Sequence, residues 1–200
     1  MTPRPLHAPT AAPPTRRADQ PTRTVLLCNV VAFQVAWFAT VLGAAHGLPL
    51  WGTAVAVAAL GWHLAVSARP AREAGLIAGV GLIGLVVESA VALQGHVAYA
   101  SGQPVAGIAP YWMVALWCTF AITLNVTLRW LKGRPVLAAL LGAVAGPAAF
   151  AAGVRLGAAE FIDTTSALVT LACVWGAAMP ALMWLSTRFD GVAVPEPVRA

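Results

Sequence analysis

Glu88 lies well inside an apolar stretch, and its type and position favour chemistry more than those of any other residue. Gly84 precedes it by four residues and Gly81 by seven, so the three share one face of a helix. Charged groups inside membrane bundles are costly and often mark proton or ligand sites. We expect the helix to turn this glycine-bearing face, and with it Glu88, toward the interior of a helix bundle. Its side chain would serve either as a packing element, ion-paired or protonated, or as part of a proton or ligand site.

A candidate polar pocket surrounds this carboxylate. Arg155 lies at a similar depth in a later apolar segment, and a Glu88–Arg155 ion pair would remove the cost of two isolated charges. His46, Gln94 and His96 fall near segment ends on the same side. The histidines lack an H-x-x-x-H or carboxylate–histidine spacing, so the sequence predicts no metal, haem or other cofactor.

A second polar group is predicted to join helices rather than to bind a ligand. Asn125 has an amide that its own helix cannot satisfy, so it needs a partner on another element. Asn29, Gln34 and His63 are its candidate partners, and His63 is expected to be hydrogen-bonded near the inner end of its segment. Interhelical contact is the favoured role of Asn125, and ligand contact is the alternative.

The elements that position these residues are predicted to be membrane-spanning helices. Of the 200 residues, 60% are hydrophobic and only 10% are charged, whereas a soluble domain has about 25% charged residues. Each apolar segment is close to the roughly 20 residues that a helix needs to cross the hydrocarbon layer. The six segments are Val25–Ala45, Leu50–Ser67, Arg72–Leu93, Pro110–Leu131, Val136–Gly157 and Ser166–Ser186. The sequence therefore predicts an all-α, six-helix transmembrane bundle.

The distribution of basic residues predicts the orientation of this bundle. Only Arg155 falls on one side of it, and the other eleven of the 12 Lys and Arg residues fall on the opposite side: Arg4, Arg16, Arg17, Arg23, Arg69, Arg72, Arg129, Lys132, Arg134, Arg188 and Arg199. The positive-inside rule places the basic side and both termini in the cytoplasm. We expect a disordered tail over 1–23, a membrane domain over 24–187 and a second tail over 188–200. The basic clusters match lipid headgroups and topology rather than nucleic acid.

Several short runs resemble one known family over roughly residues 25–187. These runs are Ala44-Ala45-His46-Gly47-Leu48-Pro49, Ala109-Pro110-Tyr111-Trp112-Met113, Thr123-Leu124-Asn125, Leu128-Arg129-Trp130-Leu131 and Gly146-Pro147-Ala148-Ala149-Phe150 through Gly153-Val154-Arg155-Leu156-Gly157-Ala158. They are similar to the bacterial membrane-protein family known as domain of unknown function 2878. The resemblance implies a small multi-pass protein of the bacterial inner membrane. It suggests a role in envelope lipids but carries no established activity.

Three functions remain open at this point. The first is an accessory protein in envelope lipid modification, with membrane lipids and lipid-metabolising enzymes as partners. The second is a small proton-coupled permease or carrier that uses Glu88, although no clear inverted repeat or broken helix supports it. The third is a membrane-embedded lipid-modifying enzyme. The sequence offers no Ser/His/Asp set, metal motif or phosphate-binding glycine loop for such chemistry, so an enzyme is not favoured.

Overall fold

The computed structural model describes residues 21–192, within which the chain forms six α-helices. Five of them are long and apolar enough to cross a membrane, and the fourth is shorter. The helices are α1 Arg23–Ala45, α2 Pro49–Val66, α3 Pro70–Gln94, α4 Tyr111–Leu124, α5 Pro135–Arg155 and α6 Thr164–Arg188. These are the helices of a multi-pass membrane protein, as predicted. The predicted tails 1–23 and 188–200 lie largely outside the described residues.

Local sequence explains where the helices begin. Pro49, Pro70 and Pro135 each occupy the first turn of a helix, where the missing N–H of proline costs nothing. Thr22 and Asp163 precede α1 and α6, and each accepts a hydrogen bond from backbone N–H groups of the first turn. The predicted segment starts are therefore correct to within a few residues.

The helices alternate in direction and pack as neighbours across short connections. Helix α1 packs against α2 and α4, α3 packs against α4, and α5 packs against α6. The end of the bundle that holds Arg23, Arg69, Arg134 and Arg188 is called the basic end below. The other end, where α1, α3 and α5 finish, is called the strand end.

Two three-residue strands pair across the strand end, and no pattern in the sequence predicted them. Strand β1, Val97–Tyr99, follows α3, and strand β2, Ala159–Phe161, follows α5. They are antiparallel, with Ala98 opposite Glu160. Strands this short have no periodicity of their own, because they form only where two loops meet. The pair ties the end of α3 to the end of α5 and so fixes the position of Tyr99.

Helix α4 corrects the prediction of a continuous fourth helix over Pro110–Leu131. It ends at Leu124, and Asn125 caps it. Turns and a short 3₁₀ helix at Arg129–Leu131 continue to the basic end. Fourteen residues rise only about 21 Å, less than the ~30 Å of the hydrocarbon layer. The carbonyls of Ile122 and Asn125, which a continuous helix would bond, instead accept from the Asn29 amide and the Arg129 guanidinium, and this exchange supplies the physical reason.

Candidate functional site

Glu88 is fully buried near the strand end of α3, and its carboxyl group accepts two hydrogen bonds. The hydroxyl of Tyr99 in β1 donates to Oε2 at 2.7 Å, and the indole N–H of Trp117 in α4 donates to Oε1 at 2.9 Å. Burial and the adjacent carboxyl group raise the pKa of the Tyr99 phenol, so Tyr99 stays a hydrogen-bond donor. The carboxyl group therefore joins α3, α4 and β1.

The glycines before Glu88 bring α4 close, as their spacing predicted. A Cβ at Gly81 would come within 2.6 Å of the Cys118 sulfur. At Gly84 it would overlap the Trp117 side chain, with the Trp117 Cβ 2.6 Å away. Trp117 lies against α3 only because Gly84 has no side chain, and this close approach puts its indole within reach of Glu88.

The predicted ion pair between Glu88 and Arg155 is wrong. Arg155 is exposed at the C-terminal end of α5, and the carboxyl group of Glu88 is occupied by Tyr99 and Trp117. Two neutral donors satisfy the buried acid, so it needs no cation. Arg155 instead lies where its charge complements the negative end of the α5 dipole.

The other members of the predicted polar pocket lie at the strand end but do not assemble around Glu88. His46 is exposed, and one ring nitrogen lies 2.8 Å from the Leu42 carbonyl of its own helix. Gln94 is exposed at the last residue of α3, and His96 is half-buried just before β1. No hydrogen bond or ion pair joins any two of the predicted pocket residues within the part of the chain that the structure describes.

A second buried carboxylate, Glu73, lies near the basic end, and the sequence analysis missed it. It is in the first turn of α3 and is fully buried. Its Oε2 lies 2.9 Å from Nε2 of His63, and its Oε1 accepts from the Asn125 amide at 2.8 Å and from the backbone N–H of Gly191 at 2.7 Å. A carboxylate directly after two arginines, Arg69 and Arg72, looks like a solvated helix start. The signal that would have revealed it is His63, a polar residue near the end of α2 and just across the turn from α3.

Asn125 makes interhelical contacts, but its predicted partners are wrong. Besides Glu73, its amide N–H bonds the Phe189 carbonyl at 3.1 Å, and its amide oxygen accepts from Nζ of Lys132 at 2.6 Å. Lys132 and Arg129 both reach Asp190, each at 2.8 Å. Burial lowers the pKa of Lys132, while the bond to Asp190 opposes this effect. The network closes the basic end and holds the segment after α6 in place.

Asn29 and Gln34, the other predicted partners of Asn125, have separate roles. The buried amide of Asn29 donates to the Ile122 carbonyl at 3.0 Å and accepts from the Thr127 hydroxyl at 2.7 Å. It therefore joins α1 to the end of α4, an interhelical contact of the predicted kind. Gln34 is exposed and makes no hydrogen bond within residues 21–192. It lines the cavity described next.

A cavity of about 420 Å³ lies between α1, α4, α5 and α6. On α5 it follows a stripe of small residues, including Gly142, Ala145, Gly146 and Ala149. Its wall on this helix extends from Leu141 to Gly153, a rise of about 18 Å. The cavity is thus an elongated groove at the depth of the membrane, with the volume of a typical small-molecule site.

Aromatic rings from α1, α4 and α6 also line this groove, and Trp175 of α6 packs directly against Gly146 of α5. Trp117 stacks on Trp175 with ring centroids 4.7 Å apart, and Phe120 packs edge-on against Trp175 at 5.6 Å. Phe33 of α1 packs edge-on against Phe120 at 6.2 Å. The indole nitrogen of Trp175 is buried and has no hydrogen-bond partner among the described residues. Apart from Gln34, the groove side chains are aromatic, aliphatic or thioether.

The arrangement supports binding more directly than catalysis. The groove offers apolar surface, flat rings and one amide, and Glu88 does not line it. Glu88 reaches the groove only through Trp117, whose N–H it accepts and whose ring forms part of the wall. No group of three or more His, Cys, Asp or Glu residues suited to a metal occurs between residues 21 and 192.

Comparison with known proteins identifies a family but no activity. A family model described as "Protein of unknown function (DUF2878)" matches residues 26–181, and this match confirms the resemblance seen in the sequence. No curated protein and no solved structure matches the chain. The geometry of the groove is therefore the main guide to function.

Proposed function

We propose, from the premise that this chain belongs to the DUF2878 family of unknown function, that it is a membrane protein that holds a lipid molecule in its groove. The observation that carries the proposal is the 420 Å³ apolar groove at membrane depth. Three of the four helices around it, α1, α5 and α6, have the length and hydropathy of membrane spans, so the groove lies among lipid chains. An elongated apolar groove lined by small residues and aromatic rings suits a flexible chain.

Six spans with both termini in the cytoplasm are the topology that we propose with this function. Helix α4, the following turns and the 3₁₀ helix together run from Tyr111 to Leu131, and we propose this stretch as the sixth crossing. The basic residues collect at one end of the bundle, and the positive-inside rule makes that end cytoplasmic. Reporter fusions after Arg23, at Gly102 and after Arg188 are expected to read inside, outside and inside. A reporter after Arg188 that reads outside would refute this topology.

Quenching of the fluorescence of the groove tryptophans tests whether a lipid occupies the groove. Lipids with brominated chains quench tryptophans that they contact. Four groove tryptophans remain in a variant in which the other four, Trp51, Trp62, Trp130 and Trp184, are replaced by Phe. We expect Ala149→Phe, which fills the groove, to reduce quenching in this background. Ala148→Phe is the matched control, since Ala148 is exposed on the same helix and does not line the groove. Equal quenching in both variants would contradict the proposal.

The finer role that we propose is accessory. The groove residues include no nucleophile with a base beside it, so modification of the bound lipid falls to partner enzymes in the bacterial inner membrane. Deletion of the gene is expected to change the composition of the membrane lipids, and wild type and Ala148→Phe are expected to restore it. Ala149→Phe is expected not to restore it. If Ala149→Phe restored the lipid composition, the role of the protein in the cell would not depend on the groove, and the accessory role proposed here would be refuted.

The carrier that uses Glu88 gains no support from the geometry. A carboxylate that loads and releases protons needs a path to water, and Glu88 is fully buried with both oxygens bonded to neutral donors. Its position favours the packing role over the proton-site role.

A further inference from the structure

The groove has one polar side chain, the exposed amide of Gln34, which has no hydrogen-bond partner in the described part of the chain. Gln34 lies eleven residues after the start of α1 at Arg23 and eleven before its end at Ala45. A helix that crosses the membrane therefore places this amide near the centre of the hydrocarbon layer. No hydrogen bond from Gln34 occurs among residues 21–192. An amide without a hydrogen-bond partner in hydrocarbon raises the free energy of the folded protein. An occupant of the groove with a polar atom at that depth would supply the missing partner.

A second group without a hydrogen-bond partner among the described residues lines the same groove. The indole nitrogen of Trp175 is buried and lacks an acceptor in the described part of the chain. Indole only donates, whereas an amide both donates and accepts. An oxygen acceptor is therefore what both groups lack. The chains of ordinary phospholipids carry no oxygen at the centre of the bilayer and do not meet this need.

The aromatic rings that line the groove favour a flat partner. Phe33 is its neighbour in α1 and packs on Phe120, which packs on Trp175, which in turn stacks on Trp117. Aromatic side chains favour offset stacking or edge contacts with another ring. The groove then continues along α5 past the exposed residues Ala145 and Ala149, which offer apolar surface to a chain.

We infer that the occupant is a lipid-soluble ring that bears carbonyl groups and a long alkyl or prenyl chain, the chemical class of the membrane quinones. The ring lies among Phe33, Phe120 and Trp175, one carbonyl oxygen accepts a hydrogen bond from the Gln34 amide, and the chain lies along α5. This inference rests on the proposed function, since it names the class of lipid that the groove holds.

The test measures the binding of two probes to the purified full chain in detergent by equilibrium dialysis. One probe is a decyl-substituted benzoquinone, and the other is decylbenzene, which keeps a ring and the chain but has no oxygen. We expect the quinone to bind about fivefold more tightly, which corresponds to ~1 kcal/mol for one hydrogen bond. Gln34→Leu is expected to abolish this preference and to retain decylbenzene binding. Gln94→Leu, at an exposed glutamine outside the groove, is expected to keep the preference.

The outcomes distinguish failure of the quinone inference from failure of the proposed lipid binding. Equal affinity of the wild type for the two probes, or a preference that survives Gln34→Leu, overturns the quinone inference. If Ala149→Phe still blocks both probes, lipid binding in the groove stands. If neither probe binds the wild type, or if Ala149→Phe does not block them, the groove is not a lipid site and both proposals fail. A circular dichroism spectrum of each variant confirms that it is folded.

Discussion

The carboxyl group of Glu88 and the indole of Trp117 are joined by a 2.9 Å hydrogen bond between α3 and α4. The same indole ring forms part of the groove wall and stacks on Trp175. A buried acid that does not touch the groove therefore sets the position of a ring that does. Glu88 acts on the groove as a positioning residue.

Substitution of Glu88 tests this link. In Glu88→Gln one of the two carboxyl oxygens becomes an NH₂ group, which cannot accept from Tyr99 or Trp117, so one buried donor loses its partner. We expect a loss of about 1–3 kcal/mol in the free energy of unfolding. Trp117→Phe removes the same bond from the other side, so the double variant is expected to lose less than the sum of the single losses. Thermal unfolding in detergent measures all three, and additive losses would show that the two residues act independently.

The close approach of α3 and α4 gives a matched pair of glycine substitutions. Gly84→Ala places a Cβ against the Trp117 side chain and is expected to cost about 1–3 kcal/mol, as in an overpacked core. Gly61→Ala makes the same change in α2 at a position with open space around it. Alanine is the better helix former, so this control is expected to gain up to ~1 kcal/mol. Equal stability of the two variants in detergent melts would mean that α3 and α4 separate readily at Gly84.

The network around Glu73 is expected to dominate stability at the basic end. Glu73→Ala leaves the buried groups of His63, Asn125 and Gly191 without their shared partner. Breaking a buried cluster by removing one member typically costs about 3–5 kcal/mol. Arg72→Ala, at an exposed position one residue earlier, is the control and is expected to change stability by less than about 0.5 kcal/mol. Similar melting temperatures for the two variants would contradict this role of Glu73.

Asp163 is expected to make the start of α6 sensitive to acid. Hydrogen bonds from the Ser166 side chain and from the backbone N–H groups of Ser166 and Thr165 lower the pKa of its carboxyl group. A lowered pKa means that the folded state favours the charged form. The contribution of the cap is therefore complete above the usual pKa range of aspartate and is lost as the pH falls through the lowered value. Amide hydrogen exchange in the first turn of α6 measures this effect.

Asp163→Asn supplies the control for that experiment. Asparagine also caps helices, but it does not titrate, so the acid-induced rise in exchange is expected to disappear. A rise of the same size in Asp163→Asn would assign the pH dependence to another group.

Sequence reasoning found the parts of this fold that depend on local composition. The apolar segments have the length of membrane helices, and the glycines before Glu88 place it inside the bundle as expected. The short α4 was missed because its end depends on Asn125 meeting Glu73, which is 52 residues away along the chain. The two strands were missed because each exists only through the other. The partner of Glu88 was misjudged because charge alone suggested Arg155, whereas two neutral donors lie nearer.

The bond between Glu73 and Gly191 also bears on how the protein is made. The two residues are 118 positions apart, so α3 enters the membrane long before residue 191 has been synthesised. Until α6 and the residues after it have been synthesised, the hydrogen bond from Gly191 to the Glu73 carboxylate is missing, and the basic end stays open. Completion of the last helix is thus the event that closes this end. A nascent chain that stops before residue 190 lacks both this bond and the contacts of Asp190 with Arg129 and Lys132 that close the basic end.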